Sequence, residues 1–256
     1  MKLLTLARDL RRRKARERTN LFVAEGVRSV EELLGSRVVV RGVLVAPQLA
    51  DAPRGAALLD ALVNRADVER TDVSERDFAS AAETESPQGV LAIAETPQRT
   101  RESIASVTPL TLLVLDAVQD PGNVGTILRT AAALGATATV ALPGTVDLWN
   151  AKVVRSGMGA HFHHPCLTGT WDDLESFRRE HAIALWAADA SGESIDALAP
   201  PPRLALVVGN EGGGLSSLSR TRADRLVALP IASSTDSLNV AVAAGILLYE
   251  LRADQS

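Results

Sequence analysis

The pattern of hydrophobic and polar positions divides the chain into two stretches. The first contains short segments, some with helical and some with strand periodicity. Up to about residue 95, helical and strand-like segments alternate. The periodicities predict a basic N-terminal helix, a strand at LFVAEG, a helix at VRSVEELLGS, a strand at VVVRGVLVA and a helix at RGAALLDALVNRA. A strand at VERTDV, a helix at ERDFASAAE and a strand at GVLAIAE follow. This stretch therefore predicts a compact α/β module.

The second stretch is a series of short apolar runs separated by loops and helices. The runs are TLLVLDAV, TATVAL, IALWAAD, LALVVG and LVALP. Strands of a parallel sheet covered on both faces have this composition, so an α/β domain with a parallel sheet is expected. Between the stretches, residues 96–109 lack apolar periodicity and contain two prolines, which is typical of a linker. The predicted organisation is 1–95, a linker at 96–109, and 110–256.

Composition limits the classes of function. The chain has 256 residues and no run of roughly 18 uninterrupted apolar residues, so we expect no membrane span. The single cysteine, Cys166, excludes an intramolecular disulfide and favours a reducing, cytoplasmic location. The net charge of −4 does not suggest a nucleic-acid partner by itself.

The distribution of charge is more informative than its sum. Between Lys2 and Arg18, eight basic residues accompany only two acids, Asp9 and Glu17. Two interpretations stay open: the helix binds RNA phosphates, or it is an amphipathic helix that buries Leu3, Leu6 and Leu10 and leaves its charges in water. The residues expected to contact RNA are Arg11, Arg12, Arg13, Lys14 and Arg16.

Ligands of parallel α/β sheets bind at the carboxyl ends of the strands, and the loop after TLLVLDAV is the first of interest. In QDPGNVGTILRTAAALG, we expect Thr126 to cap a helix that carries Arg129 in its first turn. A cation in a first turn is unfavourable by roughly 0.3–1 kcal/mol unless an anion is bound. The residue would therefore bind a phosphate or carboxylate, or else pair with Asp116 or Asp120.

Two further loops are rich in residues that can approach a ligand. VVGNEGGGLS contains four glycines in a spacing that is neither a dinucleotide fingerprint nor a P-loop. In it, Glu211 is either a solvated acid or a placed acceptor. In LPIASSTDSLNVAVAAGILLYE, Ser237 and Asn239 precede an apolar helix, and a cap accounts for only one of them.

The three loops together resemble a known family. N-x-G-x-I-x-R-T-A, G-N-E-G-x-G-L-S and L-P-I…S-L-N-V-A-V-A-A are similar, in order and spacing, to the three motifs of the SpoU/TrmH-like 2′-O-ribose RNA methyltransferases. KVVRSGMGAHFHHP, residues 152–165, resembles the segment between the first two motifs. The resemblance implies a SPOUT domain with a trefoil knot, preceded by a smaller ribosomal-protein-like α/β/α substrate-binding domain.

The same resemblance implies the cofactor S-adenosyl-L-methionine and roles for individual residues. The polar residues carried over as catalytic are Asn123, Arg129, Glu211, Ser237 and Asn239. Those carried over to the cofactor pocket are Gly209, Gly212, Leu229, Ile231 and Leu238. An arginine is a poor base, because its pKa exceeds roughly 12, so we expect Arg129 to orient the nucleotide and stabilise charge. No metal is required.

The resemblance implies a homodimer and an RNA substrate, with ribosomal RNA (23S) favoured over tRNA because of the additional N-terminal domain. A non-catalytic RNA-binding protein of the same fold is the alternative, and an oxidoreductase is disfavoured by the missing fingerprint. HFHHPC, residues 161–166, invites a zinc interpretation, but no second cluster of ligands accompanies it.

Overall fold

The computed structural model describes residues 2–232 and 237–252, which pack as two compact units. The first comprises Met1–Gln98 and Asp147–His163, and the second comprises Arg99–Val146 and His164–Ser256. The predicted linker contains the division after Gln98. It also contains a short helix, capped by the Thr100 side chain, where no regular structure was expected. Residues 233–236, part of the third motif, lie outside the described residues.

The first unit is a four-stranded sheet with helices on its faces. Its strands run in the order β1-β4-β2-β3, and all pairs are antiparallel except β2 with β3. The elements are α1 (Lys2–Leu10), α2 (Arg13–Thr19), β1 (Leu21–Glu25), α3 (Val27–Leu34), β2 (Val40–Val45), α4 (Pro53–Val63), β3 (Arg70–Asp72), α5 (Glu75–Ala81), β4 (Val90–Glu95) and, from later in the chain, α8 (Ala151–Ser156).

Two details of this unit differ from the sequence expectation. The basic helix is two helices, because the chain turns at Arg11 and Arg12 between α1 and α2. The segment Asp147–His163, expected in the methyltransferase domain, packs within the first unit. All other predicted strands and helices of residues 1–95 are present, since local periodicity specified which face each element buries.

The second unit is a parallel sheet, as predicted, but it has six strands, because Cys166–Thr168 forms a strand that was not among the five predicted runs. Its strand order is β10-β8-β9-β5-β6-β7, and every neighbouring pair is parallel. The elements are α6 (Arg101–Ala105), β5 (Leu110–Leu115), α7 (Pro121–Ala133), β6 (Ala138–Ala141), β7 (Cys166–Thr168), α9 (Trp171–Glu180), β8 (Ala184–Ser194), β9 (Arg203–Val208), α10 (Ser217–Arg222), β10 (Arg225–Ala228) and α11 (Val240–Glu250).

The core of this unit explains why its strands are nearly all apolar. Leu112, Val114, Ala205 and Val207 are buried on central strands whose neighbours lie on both sides. Within the described residues, no helix is both long and apolar enough to cross a bilayer. The trefoil knot stays a prediction.

Candidate active site

The site lies where β5 and β9 end, because these neighbouring parallel strands bring the loops that follow them side by side. β5 pairs with β9 from Leu110↔Arg203 to Leu115↔Val208. The first loop then continues into α7, and the second contains the four glycines. The first two motifs are thus in contact at the carboxyl ends of these strands. The order of the motifs in the sequence does not by itself reveal this contact.

Glu211 joins these two loops through three hydrogen bonds. Its Oε1 accepts from the backbone N–H of Asp120 at 3.0 Å and from Nδ2 of Asn123 at 3.1 Å, while its Oε2 accepts from the N–H of Gln119 at 3.2 Å. Desolvation opposes ionisation, but hydrogen bonds from its own backbone, Asn123, Asp120 and Gln119 outweigh it and lower the pKa of the carboxyl. Glu211 is exposed, and these three hydrogen bonds hold it in place as an acceptor.

Asn239 brings the third motif into the same network. Its Oδ1 caps α11 by accepting from the N–H of Ala241 at 2.9 Å, and its Nδ2 donates to Oδ1 of Asn123 at 3.0 Å. One of Ser237 and Asn239 was expected to cap this helix, and the cap is Asn239. Ser237 is exposed and does not cap the helix. The amides of Asn239 and Asn123 and the carboxylate of Glu211 thus form one continuous chain of hydrogen bonds.

Arg129 does not lie where the sequence placed it. Helix α7 begins at Pro121, and Oδ1 of Asp120, not Thr126, caps it by accepting from the N–H of Asn123 at 2.7 Å. Arg129 is therefore in the third turn, where the helix dipole no longer acts on it. The expected position of this cation in the first turn was wrong. Its side chain is exposed and makes no hydrogen bond or ion pair with residues 2–232 and 237–252. The alternative of pairing with Asp116 or Asp120 is not realised.

The glycine-rich loop is folded around Asn210. Its Oδ1 accepts from the N–H groups of Gly212 and Gly213, both at 2.9 Å, and its Nδ2 donates to the carbonyl of Ala117 at 2.8 Å. A Cβ on Gly209 would lie 2.4 Å from the carbonyl carbon of Gly214. Glycine is needed at 209 because the loop closes on itself there, and the nearest atoms belong to the backbone of Gly214 and Leu215.

Asp116 is a site residue that sequence reasoning did not recognise. It is buried, and its Oδ2 accepts from the N–H of Ser216 at 2.7 Å and from the hydroxyl of Ser219. These bonds connect the end of β5 to the start of α10. The available signal was an acid directly after the buried run LLVL, where a carboxylate needs partners.

A cavity of about 610 Å³ opens beside these loops in the second unit. Its walls include all five residues expected to hold the cofactor, together with the predicted catalytic residues Glu211 and Ser237. It is bordered as well by Asp189 and Arg220, which form an ion pair and which the sequence did not single out. Asn123, Arg129 and Asn239 are not among its lining residues.

The residues expected to contact RNA fall into two groups. Arg11, Arg12, Arg13 and Lys14 are exposed. Arg16 is only 6% exposed, and it donates through Nε and Nη2 to Oδ2 of Asp147 at 2.8 and 2.5 Å. Its guanidinium does not face solvent, so the expected RNA contact at Arg16 is corrected to a structural ion pair.

The two buried histidines of HFHHPC, His161 and His164, have separate environments. His161 is buried with Nε2 2.9 Å from the carbonyl oxygen of Leu148. His164 is buried against the hydroxyl of Thr139 at 2.8 Å, and desolvation lowers its pKa to about 4. In the described part of the chain, no group of three or more His, Cys, Asp or Glu residues is placed to hold a metal ion.

Comparison with known proteins agrees with this geometry. Residues 5–92 match the MRM3-like substrate binding domain. The chain is 36% identical to the 23S rRNA (guanosine(2553)-2′-O)-methyltransferase RlmP of Bacillus subtilis, over 96% of this chain and 94% of the relative. It is 34% identical to the 23S rRNA (guanosine-2′-O-)-methyltransferase RlmB of Escherichia coli strain K12, over 64% of this chain and 70% of the relative.

Solved structures are similar over nearly the whole chain. The SpoU methyltransferase AviRb of Streptomyces viridochromogenes, in complex with AdoMet, superimposes with a TM-score of 0.86 at 28% identity, covering 98% of this chain and 96% of that one. Residues 110–249 match the SpoU rRNA Methylase family, and they contain the three loops described above. This chain therefore belongs to the SpoU rRNA methylase family.

Proposed function

We propose that this protein transfers a methyl group from S-adenosylmethionine to a ribose 2′-hydroxyl of RNA. The observation that carries the proposal is the hydrogen-bonded chain from Asn239 through Asn123 to Glu211 beside a cavity of about 610 Å³. These residues come from three separate motifs and are joined by hydrogen bonds. Because the chain belongs to a family of rRNA methylases, we assign methyl transfer to the place where they meet. The three polar residues are intact, which argues against a non-catalytic relative.

The cavity fits the proposed cofactor in size and in lining. Small-molecule sites usually measure about 300–1,000 Å³ and combine apolar walls with a few polar groups. Leu229, Ile231 and Leu238 offer apolar contact for an adenine ring, and the glycine-rich loop offers backbone groups. The bound cofactor would supply a methyl group on a sulfonium, which is already activated as an electrophile.

The residues of the network are suited to positioning the loops around the reactants. They are not suited to removing a proton. The Glu211 carboxylate accepts three hydrogen bonds, and its lowered pKa makes it a weak base. Its role is to fix the first loop against the second. A positioned loop favours in-line attack, because alignment supplies a large part of the barrier reduction in group transfer.

Arg129 retains a role in charge stabilisation. Its exposed guanidinium has no partner in the described residues, so all its donors are available to a substrate phosphate or to the developing alkoxide. Ser237 is exposed and lines the cavity, so its hydroxyl is a further polar group that can contact substrate. Neither residue needs a metal for these roles.

We propose that the substrate is ribosomal RNA, specifically 23S rRNA, and that the protein acts in the cytoplasm. Both curated relatives reported above are named for 23S rRNA, and one is similar over 96% of this chain. In this proposal the region 1–95 binds RNA and the region 110–256 performs the transfer. Mapping of ribose methylation across cellular RNA with and without this protein tests it: one 23S position should lose its methyl group, whereas a loss confined to tRNA would contradict the proposed substrate.

We propose further that the protein is a homodimer through α11. Val242, Ile246 and Tyr249 are 50%, 40% and 50% exposed, and their spacing places them along one side of this helix. Large apolar side chains in a continuous strip favour a protein partner. Light scattering at micromolar concentration should give twice the monomer mass, and a monomer would overturn the proposal.

A further inference from the structure

The first unit is completed by a segment from much later in the chain. β1 is an edge strand, and α8 with its flanking residues covers it. Trp149 and Phe162 pack on Phe22 of β1, with ring centroids 4.6 and 6.0 Å apart. Val154 joins the core on one face of the sheet and Ala151 the core on the other. Asp147–His163 is therefore fixed to the N-terminal sheet by apolar contacts on both faces.

A buried ion pair fixes the start of this segment to α2. Arg16 of α2 pairs with Asp147 and also donates through Nη1 to the carbonyl of Leu10 at 2.7 Å. The pKa of Arg13 is raised by its hydrogen bond to Glu17 and, through space, by Asp147. The residues that follow Asp147 are held next to the basic helix.

Burial of the apolar side of α8 leaves two cations on its outer side. Ala151, Val153 and Val154 are buried, whereas Lys152 and Arg155 are exposed. Neither cationic side chain has a hydrogen bond or an ion pair with any residue that the structure describes. Residues three apart on a helix are neighbours, so their charges reinforce each other.

Most arginines of α1, α2 and the turn between them already pair with an acid, although Arg12 and Arg18 share one. Arg12 and Arg18 pair with Asp9, Arg13 pairs with Glu17 and Arg8 pairs with Asp77. Lys14 is exposed on α2 and has no acidic partner among the described residues. Lys152 and Arg155 of α8 and Lys14 of α2 are therefore cations without an acidic partner among the described residues. Lys2 and Arg11 also lack an acidic partner there, although Nη1 of Arg11 donates to the carbonyl oxygen of Ser80 at 3.3 Å.

We propose that Lys152 and Arg155 of α8, together with Lys14 of α2, form a surface that binds the phosphate backbone of the RNA substrate. This inference rests on the proposed function, which makes RNA the partner. It differs from the sequence expectation because two of the three cations come from the segment between the first two motifs. Unpaired cations give the largest electrostatic gain, since a phosphate that replaces an existing acid must first break that ion pair.

The test is the salt dependence of RNA binding by the full-length Lys152→Gln/Arg155→Gln variant. The probe is a fluorescent RNA hairpin of mixed sequence, titrated between about 50 and 200 mM salt. Each lost phosphate contact lowers the slope of log K against log[salt] by roughly 0.7–0.9, so two should lower it by about 1.5. We expect affinity near 100 mM salt to fall roughly tenfold. An unchanged slope would overturn the proposal.

The matched control removes two cations from the opposite edge of the same sheet. Arg65→Gln/Arg70→Gln has the same change of charge near β3, where both arginines already pair with acids, Asp67 and Asp72. It should keep the wild-type slope. An equal loss in the control would show a general charge effect and refute a localised surface. Lys152→Arg/Arg155→Lys should restore the slope, which separates lost charge from lost structure.

The surface and the proposed function can fail independently. Calorimetric affinity for S-adenosylmethionine and the thermal unfolding midpoint should be the same in wild type and Lys152→Gln/Arg155→Gln. If wild type transfers no methyl group to any ribose, the proposed function fails, while the salt slopes still decide the surface. If wild type is active and the slopes are equal, only the surface fails.

Discussion

The side-chain amide of Asn239 donates a hydrogen bond to the side-chain oxygen of Asn123 at 3.0 Å, across 116 residues of chain. Asn123 passes the connection on, because its own amide donates to Glu211. The order of the first loop therefore depends on both the second loop and the start of α11. Loss of either link should affect the geometry of transfer more than the stability of the fold.

Asn239 performs two functions that substitution can separate. Asn239→Ala removes the cap of α11 and should cost about 1 kcal/mol of stability. Asn239→Asp keeps an oxygen that can cap, but it cannot donate to Asn123. We expect both variants to lose at least roughly tenfold in single-turnover methyl transfer, the scale of a misplaced reacting group, and only Asn239→Ala to unfold at a markedly lower temperature. Full activity in Asn239→Asp would contradict a role for the Asn123 contact.

The stabilising effect of Glu211 should depend on pH. Its pKa is lowered in the folded protein, so the stability that it contributes is present above its ordinary pKa of about 4.3 and is lost as pH falls through the folded value. The difference in unfolding midpoint between wild type and Glu211→Gln should be constant from pH 7 to about 5.5 and should shrink below about pH 4.3. Measurement by scanning calorimetry tests this. A difference that is independent of pH would mean that the charge is irrelevant.

Arg129 should tolerate neither lysine nor alanine. If its planar guanidinium holds two acceptors at once, a single ammonium cannot replace it. We expect Arg129→Lys and Arg129→Ala to lose at least roughly a hundredfold in methyl transfer with saturating S-adenosylmethionine. Stability should be unchanged, because the side chain is exposed. Near-normal turnover of the lysine variant would eliminate the bidentate role, and near-normal turnover of the alanine variant would eliminate Arg129 from the site.

Two glycines of one loop should respond differently to the same change. A Cβ at Gly209 would meet the backbone of Gly214 at 2.4 Å, whereas at Gly212 its nearest neighbour, Oδ1 of Asn210, lies 3.7 Å away. Gly209→Ala should therefore distort the loop and weaken S-adenosylmethionine binding at least tenfold by calorimetry. Gly212→Ala should bind normally unless the cofactor itself lies against that position. Normal binding by Gly209→Ala would refute the packing argument.

The buried ion pair of Arg16 with Asp147 should contribute more to stability than the exposed ion pair of Arg13 with Glu17. The two side chains are 6% and 15% exposed, and removal of one partner from a buried pair typically costs about 3–5 kcal/mol. Arg16→Met should therefore unfold at much lower denaturant concentration than wild type. Arg13→Met is the control, since its pair with Glu17 is 59% exposed on both sides and such pairs contribute less than about 1 kcal/mol. Equal effects would show that the pair does not fix the segment.

The sequence by itself determined the elements and their faces. Runs such as LLVL and LALVV specify buried parallel strands because only apolar side chains tolerate cover on both sides. The sequence also limited the cap of α11 to Ser237 or Asn239. The start of α7 was also readable, since Asp120 followed by Pro121 is a cap and a first-turn proline. Our expectation of Thr126 overlooked that signal.

Tertiary structure alone decided which distant residues meet. Arg16 and Asp147 are 131 positions apart, and nothing in either local pattern distinguishes a buried arginine from the exposed ones beside it. The burial of Asp116 and the packing of Asp147–His163 on β1 have the same origin. Periodicity records which side of an element faces apolar surroundings. It does not record which element supplies them, because that depends on how the whole chain packs.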